Sequence, residues 1–222
     1  MAPTLYGFWR SSCSWRVRIA LKHKNIPHSQ HFVHLKRNGG EQLSTAHQHR
    51  NTMAQIPVLA IQSEQHGEIF ISQSMAILEY LEDQYPTPSM YPRDIIQRTR
   101  ARQVSEVVNA GIQPLQNGST MRAIEALGHD KTSWAKSWIQ KGLDNLERMV
   151  STFPKTPFLV SNKPSIADFC LIPQLYNARR FGCKTDHWSR LMEAEDKCFE
   201  LSAFVESHPD RQPDAPKALP EP

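Results

Sequence analysis

Residues 10–21 read Arg-Ser-Ser-Cys-Ser-Trp-Arg-Val-Arg-Ile-Ala-Leu and bring three hydroxyls and one thiol close together. They follow a predicted strand, residues 4–9, and open a predicted helix, residues 12–24. The first backbone N–H groups of a helix lack partners within it, and the helix dipole is positive at that end. An anion such as a thiolate is therefore stabilised there. A serine-rich helix cap without catalytic function has the same composition, so the segment alone leaves both interpretations open.

Apolar residues also recur at regular spacings along the rest of the chain. Residues 1–85 alternate between short apolar runs and helical periods in the order βαβ and then ββα, which predicts an α/β domain of thioredoxin size. Three prolines within residues 86–92 predict a domain boundary, and only helical periods follow it. Ser165 and Asp168, three residues apart, predict a capping box at the start of a helix that reaches Arg180. We therefore expect an α/β domain at 1–87, an all-helical domain at 93–208 and a proline-rich tail at 209–222.

Length and composition exclude several classes of protein. The 222-residue chain has a net charge of +4 and 39% hydrophobic residues, so it is not a disordered chain, and its charge is too small to demand nucleic acid. No apolar run approaches the ~20 residues of a membrane span, and residues 1–10 lack the pattern of a secretory signal. The four cysteines form no CxxC pair. We expect a soluble, cytoplasmic protein with free thiols and no nucleic-acid or membrane partner.

The charges are unevenly distributed along the chain. Residues 1–50 contain eight Lys or Arg and one acid, whereas residues 51–92 contain five acids and no Lys or Arg. A solvated basic face gives this pattern. The surplus of positive charge also surrounds the hydroxyl-rich segment, so we interpret it as a local pocket for an anionic ligand. His28, His31 and His34 do not indicate a metal site, because on a strand the middle side chain points to the opposite face.

The segment Ser11–Leu21 closely resembles the signature of the zeta-class glutathione transferases, the family of maleylacetoacetate isomerase. The resemblance covers nearly the whole chain. It continues at Met53–Leu59, Gln73–Leu81, Gly111–Asn117, Asn177–Phe181 and His208–Pro213. The resemblance implies a cytosolic glutathione transferase fold, with a thioredoxin-like domain followed by an all-helical domain, and a homodimer. It also implies a cis peptide bond between Ile56 and Pro57, where proline makes the cis form accessible.

The resemblance implies glutathione as the cofactor and assigns its contacts. Three residues lie at the thiol: Ser11, Ser12 and Cys13. Glutathione binding extends to Gln42 at the glycyl end, Ile56 at the cysteinyl backbone, Gln73 and Ser74 at the γ-glutamyl carboxylate, and Gln113, Asn117 and Ser119 in the helical domain. Arg180 matches the family's arginine for the substrate carboxylate, and Arg16 is a second candidate. No metal is expected.

Simple energetics indicate why a hydroxyl is needed beside the helix terminus. A thiol with a pKa of ~8.5 is mostly protonated at neutral pH, and lowering this pKa by two units requires ~2.7 kcal/mol. A helix N-terminus supplies only ~0.3–1 kcal/mol, whereas a hydrogen bond to a charged group supplies ~1.5–3 kcal/mol. By resemblance this hydrogen bond falls to Ser11. Cys13 is then not an obligatory nucleophile, because the attacking sulfur belongs to glutathione.

The reaction implied by the resemblance is the cis–trans isomerisation of maleylacetoacetate to fumarylacetoacetate, by reversible thiolate addition, in tyrosine and phenylalanine breakdown. Three alternatives stay open: a general transferase or α-haloacid dehalogenase of the same class, thiol transfer through Cys13, and a scaffold without catalysis. Two positions depart from the family pattern. Arg179 stands where the family often has an acid, and Thr52 stands where a proline is common.

Overall fold

The structure is a computed structural model that describes residues 2–217. The described residues form two compact units. The first contains the residues up to Ser89 together with those from Ser202 onward, and the second is Met90–Leu201.

The first unit is built on a four-stranded mixed sheet. Its strands are β1 (Thr4–Gly7), β2 (Ser29–Phe32), β3 (Val58–Ser63) and β4 (Gly67–Ser72), in the order β2-β1-β3-β4. β1 is parallel to β2 and antiparallel to β3, and β3 is antiparallel to β4. The helices of this unit are α1 (Ser12–His23), α2 (Thr45–Arg50), α3 (Ser74–Gln84) and α9 (Ser202–Glu206). The predicted α/β domain is confirmed.

Helix α1 forms the crossover between the parallel strands β1 and β2, a connection that parallel pairing requires. Its buried residues Val17 and Leu21 and the buried Ile77 and Leu81 of α3 belong to the core. Burying a side chain of this size stabilises the fold by about 1.5–3 kcal/mol. The packing of α1 on α3 therefore fixes the two helices whose first residues carry much of the expected site.

The second unit consists of helices throughout its described elements. They are α4 (Ile95–Glu106), a π-helical segment (Val107–Ile112), a 3₁₀ helix (Gln113–Gln116), α5 (Gly118–Ala126), α6 (Lys131–Ser151), α7 (Ile166–Arg180) and α8 (Ser189–Phe199). Fully buried apolar residues such as Val104, Leu143 and Phe169 form its core. The predicted all-helical region is confirmed. In the part of the chain that the structure describes, no helix is both long and apolar enough to cross a membrane.

The capping box at the start of α7 is also confirmed. Asp168 Oδ2 accepts from Ser165 N at 2.8 Å and from Ser165 Oγ at 3.1 Å, and Asp168 Oδ1 accepts from Leu159 N at 3.0 Å. Burial raises the pKa of Asp168 to about 6, although these hydrogen bonds favour its charged form. The carboxylate thus joins the helix start to the loop before it.

The C-terminal segment does not follow the domain boundaries expected from the sequence. The expectation assigned 202–208 to the helical domain and 209–222 to a tail, but α9 packs on α1 within the first unit. A 3₁₀ helix, Pro209–Arg211, follows it. The buried Trp15 indole donates from Nε1 to Ser207 Oγ at 2.9 Å. The segment covers an apolar face of α1, a long-range contact that local periodicity does not reveal. Residues 218–222 of the expected tail lie outside the described residues.

Candidate active site

The hydroxyl-rich segment forms the N-terminus of α1, as expected. Ser11 is the N-cap: its Oγ accepts from Ser14 N at 3.2 Å, and its own N–H donates to Phe8 O at 3.0 Å. Ser11 and Cys13 are partly exposed, and Ser12, the first residue of the helix, is buried. A hydroxyl oxygen that accepts a hydrogen bond still has its own hydrogen to donate. Ser11 can therefore cap the helix and donate to a bound anion at the same time.

The N-terminus of α3 offers a second place for an anion. The N-cap residue Gln73 is exposed, adopts φ 70°, and makes no capping hydrogen bond with its side chain. The next residue, Ser74, is buried, and its Oγ accepts from Arg16 Nη1 at 3.2 Å. A helix start without a side-chain cap and with a cation beneath its first hydroxyl is suited to a carboxylate. The structure thus connects the α1 segment to the start of α3 through Arg16.

The expected role of Arg16 as a substrate contact is not supported by its position. Its exposure is 0%, and its guanidinium lies beneath Ser74. A side chain without exposed area does not touch a substrate that arrives from solvent. Arg16 contributes positive charge to the start of α3 instead.

Two more of the basic residues in the first fifty are buried, Arg18 and Lys24. Lys24 Nζ donates to Tyr85 O at 2.6 Å and lies 2.8 Å from a carboxylate oxygen of Glu82. The interpretation of the whole basic stretch as an anion pocket is therefore wrong for these two, because both cations are engaged inside the protein. Net charge along a sequence does not distinguish buried cations that bond within the protein from cations on the surface.

The peptide bond between Ile56 and Pro57 is cis, as expected. Ile56 is partly exposed and lies two residues before the start of β3. The preceding carbonyl, Gln55 O, accepts from the buried side chain of Asn51 at 2.8 Å and lies 3.0 Å from His47 Nε2. Two side chains thus anchor the segment that carries Ile56. Neither side chain belongs to a recognisable motif, so the sequence alone does not reveal this anchor.

Gln42 lies in a 3₁₀ helix, Glu41–Leu43, ahead of α2, and is only 7% exposed. Its Oε1 is buried and has no hydrogen-bond partner among the described residues. Gly40, at φ 113°, makes room for it, because a Cβ at that position would lie 2.7 Å from Gln42 Nε2. A buried acceptor without a partner is costly and is suited to a ligand N–H group.

In the second unit, Gln113, Asn117 and Ser119 follow the π-helical segment, a feature frequent at functional sites. Gln113 and Asn117 are partly exposed, and Ser119 is exposed. Asn117 is the N-cap of α5 but makes no capping hydrogen bond with its side chain. The turn is held from inside by Gln116 Nε2, which donates to Gln174 Oε1 at 2.7 Å. The Asn117 side chain is therefore positioned by the turn without serving as its cap.

The two arginines at the end of α7 have different surroundings. Arg179 forms a two-pronged ion pair with Glu195, in which Nη1 lies 2.8 Å from Oε1, and this hydrogen bonding raises the pKa of Arg179. Arg180 is partly exposed, and its guanidinium carbon lies 4.8 Å from the centre of the Phe181 ring. Arg179 is thus occupied by a carboxylate of its own chain, and Arg180 is the arginine that the family resemblance assigns to an anionic ligand. Among the described residues, no group of His, Cys, Asp and Glu is arranged as a metal site.

Comparisons with known proteins show the family to which the chain is similar. The family model for the N-terminal domain of glutathione S-transferase matches residues 10–84. The maleylacetoacetate isomerase of Rattus norvegicus is 40% identical over 98% of this chain and 97% of its own length. A crystal structure of maleylacetoacetate isomerase from Anaeromyxobacter dehalogenans 2CP-1, with glutathione bound in the active site, has a TM-score of 0.87 at 41% identity and covers 97% of this chain and 98% of its own. A bacterial zeta-class transferase, maleyl pyruvate isomerase, has a TM-score of 0.88 at 33% identity over 96% of this chain and 100% of its own.

Proposed function

The chain belongs to the maleylacetoacetate isomerase family of zeta-class glutathione transferases, and from this premise we propose that it catalyses the glutathione-dependent isomerisation of maleylacetoacetate to fumarylacetoacetate. The observation that carries the proposal is the joining of two helix N-termini, with Ser11 capping α1 and Ser74 opening α3 above the buried Arg16. One is suited to a thiolate and the other to a carboxylate, and glutathione contains both groups.

The residues present fit glutathione as the cofactor. The uncapped start of α3 fits the γ-glutamyl carboxylate, with Gln73 and Ser74 as its partners. The anchored segment at Ile56 fits the cysteinyl backbone, and the buried, unpartnered Oε1 of Gln42 fits an N–H near the glycyl end. From the family resemblance, Gln113, Asn117 and Ser119 are further glutathione contacts.

Bound glutathione supplies a thiolate that adds reversibly to the substrate double bond, so that the bond rotates before the thiolate leaves. The chain's own residues make this possible. Ser11 donates its hydroxyl hydrogen to the sulfur and favours the ionised form, while the α1 N–H groups next to Ser12 and Cys13 add a smaller favourable field. From the family resemblance, Arg180 holds a substrate carboxylate through charge-assisted hydrogen bonds.

Arg180→Ala is expected to raise KM for dianionic substrates about tenfold or more, because a charge-assisted hydrogen bond of ~1.5–3 kcal/mol is lost. KM for a neutral acceptor such as chlorodinitrobenzene is expected to stay the same. Steady-state kinetics with both substrates measure the difference.

The neighbouring Arg179→Ala is the matched control for this experiment. It removes an equal charge one residue away and breaks the pair with Glu195, so it is expected to lower stability without a selective effect on dianionic substrates. Equal effects of Arg180→Ala on dianionic and neutral substrates would reject the carboxylate role.

We also propose a homodimer, supported by two adjacent apolar residues at the start of α4, Ile95 and Ile96, which are 74% and 57% exposed. Contiguous exposed apolar surface is typical of interaction sites, and these two side chains are proposed to be part of such a surface. The double change of Ile95 and Ile96 to Glu is expected to halve the mass measured by light scattering. Leu127→Glu places one negative charge at another exposed apolar residue and is expected to leave the dimer intact. A wild-type protein with the mass of one chain contradicts the proposal.

The proposed setting is the cytoplasm, in the breakdown of tyrosine and phenylalanine. All four cysteines are free thiols in the structure, which is usual in a reducing compartment. A glutathione-dependent enzyme also needs its thiol cofactor in the reduced state.

The experiment that tests the proposed activity compares kcat/KM for maleylacetone, a stable substitute for the substrate, with kcat/KM for chloroacetate. The proposal predicts a clear preference for maleylacetone. A preference for chloroacetate assigns the chain to dehalogenation. Loss of activity in Cys13→Ala but not in Ser11→Ala assigns it to thiol transfer, and failure to bind glutathione favours a scaffold.

A further inference from the structure

The loop that leads into Ser11 is held on both sides of a single residue. Residues 8–10 connect β1 to Ser11. Trp9 N–H donates to Asp214 Oδ2 at 2.9 Å, and Trp9 C=O accepts from Arg18 Nη2 at 2.8 Å. Arg18 Nη1 also donates to Phe8 O at 3.4 Å. A short loop whose backbone groups are bonded in this way has little freedom to move.

Two of the residues that hold this loop, Ser207 and Asp214, lie more than 190 positions after it in the sequence. Arg18 Nε donates to Ser207 O at 3.1 Å, so the guanidinium joins the loop to the C-terminal segment. Asp214 lies farther along that segment. Arg18 and Ser207 are buried, where hydrogen bonds are shielded from water and the loss of one partner is costly. We call Arg18, Ser207 and Asp214 the loop clamp.

We infer that Asp214, acting with Arg18, positions the loop that carries Ser11, so that the C-terminal segment belongs to the apparatus that ionises glutathione. The inference rests on the proposed function. Phe8 O accepts both from Ser11 N at 3.0 Å and from Arg18. Displacement of the Phe8–Trp9 backbone therefore moves the Ser11 backbone and with it Ser11 Oγ. A hydrogen bond from that oxygen to sulfur depends on its position.

The positive charge of Arg18 and the negative charge of Asp214 stabilise each other. Burial lowers the pKa of Arg18 to about 9, and the nearby negative charge of Asp214 opposes this effect. Burial raises the pKa of Asp214, and its hydrogen bond from Trp9 N opposes that rise. Each ion is therefore less favourable without the other, and removal of Asp214 leaves Arg18 less well compensated. Asp214 acts through the loop and is a positioning residue.

The test measures the pKa of the thiol of bound glutathione, from the ultraviolet absorbance of the thiolate, in the full-length protein. Asp214→Ala is expected to raise this pKa by about one pH unit and to lower kcat about tenfold near neutral pH, while KM for maleylacetone stays the same. Asp214→Asn retains a carbonyl oxygen that can accept from Trp9 N–H and is expected to restore most of the thiolate. Asp210→Asn, which removes an equal charge from the same segment, is the matched control and is expected to behave as wild type.

A folded Asp214→Ala protein, shown by a cooperative thermal unfolding transition, whose bound thiol has the wild-type pKa overturns the inference. If Asp214→Ala does not fold, Asp214→Glu decides, because it keeps the charge but displaces the carboxylate by one methylene. It is expected to raise the thiol pKa by a smaller amount, and an unchanged value again overturns the inference. An unchanged thiol pKa in either variant leaves the proposed function intact, because the wild-type protein still lowers the thiol pKa of bound glutathione. A wild-type protein that binds glutathione without lowering its thiol pKa contradicts the proposed function itself.

Discussion

Ser11→Ala is expected to lower kcat/KM about 10- to 100-fold, because it removes a hydrogen bond to the thiolate of ~1.5–3 kcal/mol, and about 1.4 kcal/mol corresponds to a factor of ten. The pKa of the bound glutathione thiol should rise by one to two units for the same reason. Ser11 is also the cap of α1, where its Oγ accepts from Ser14 N. The variant should therefore lose about 1 kcal/mol of stability as well. Steady-state kinetics and absorbance titration measure the first two effects.

Two further variants separate the roles of the hydroxyl. Ser11→Thr retains both the cap and the donor and is expected to keep most of the activity. Cys13→Ala is expected to have a small effect, because Cys13 lies in the first turn of α1 and the reacting sulfur belongs to glutathione. If Ser11→Ala retains the wild-type thiol pKa, the thiolate is stabilised by another group and the assignment of Ser11 is wrong.

Asp168→Ala is expected to lower the free energy of unfolding of the helical unit by about 3–5 kcal/mol. The substitution leaves the Leu159 N–H and the Ser165 N–H without their acceptor at a fully buried position. Chemical denaturation measures the loss. Asp94→Ala removes the cap of α4, where Asp94 Oδ1 accepts from Gln97 N in an exposed setting, and is expected to cost only about 1 kcal/mol. Equal losses in the two variants contradict the account of Asp168.

The pH dependence of stability tests the protonation of Asp168. Its pKa is about 6 in the folded protein against an ordinary value of 3.8, so the folded state binds the proton more tightly than the unfolded state. Protonation then favours folding, and the contribution of Asp168 to the unfolding free energy falls as the pH rises from about 4 to about 6. Asp168→Asn keeps an acceptor oxygen and does not titrate. Wild type should lose stability relative to this variant across that range, and a constant difference between them contradicts the raised pKa.

Local patterns were sufficient to predict most of the architecture. The apolar run before Ser11 and the capping box at Ser165 each depend on a few neighbouring residues, and both were confirmed. The cis bond at Pro57 was expected from the family resemblance, and it is present. The Ser11 cap was predicted for the same reason, since a hydroxyl at the start of a helical period satisfies a backbone N–H directly.

Long-range contacts explain what the sequence did not reveal. Arg16 and Arg18 lie on the same helix as hydrophobic core residues, and only the packing of distant segments shows that they are buried. Asp214 stands in a proline-rich stretch that predicts no structure of its own, yet it accepts from the backbone of Trp9. A second cis bond, between Thr87 and Pro88, was not predicted either, because the cis and trans forms of an X–Pro bond differ little in free energy and local sequence does not decide between them.

The most direct test of the proposed function follows the glutathione concentration while purified protein acts on an excess of maleylacetone. Isomerisation regenerates the thiol, so we predict that many equivalents of the trans product accumulate while the glutathione concentration stays constant, and that no product forms without glutathione. Loss of one glutathione for each product molecule, or product formation in its absence, contradicts the account.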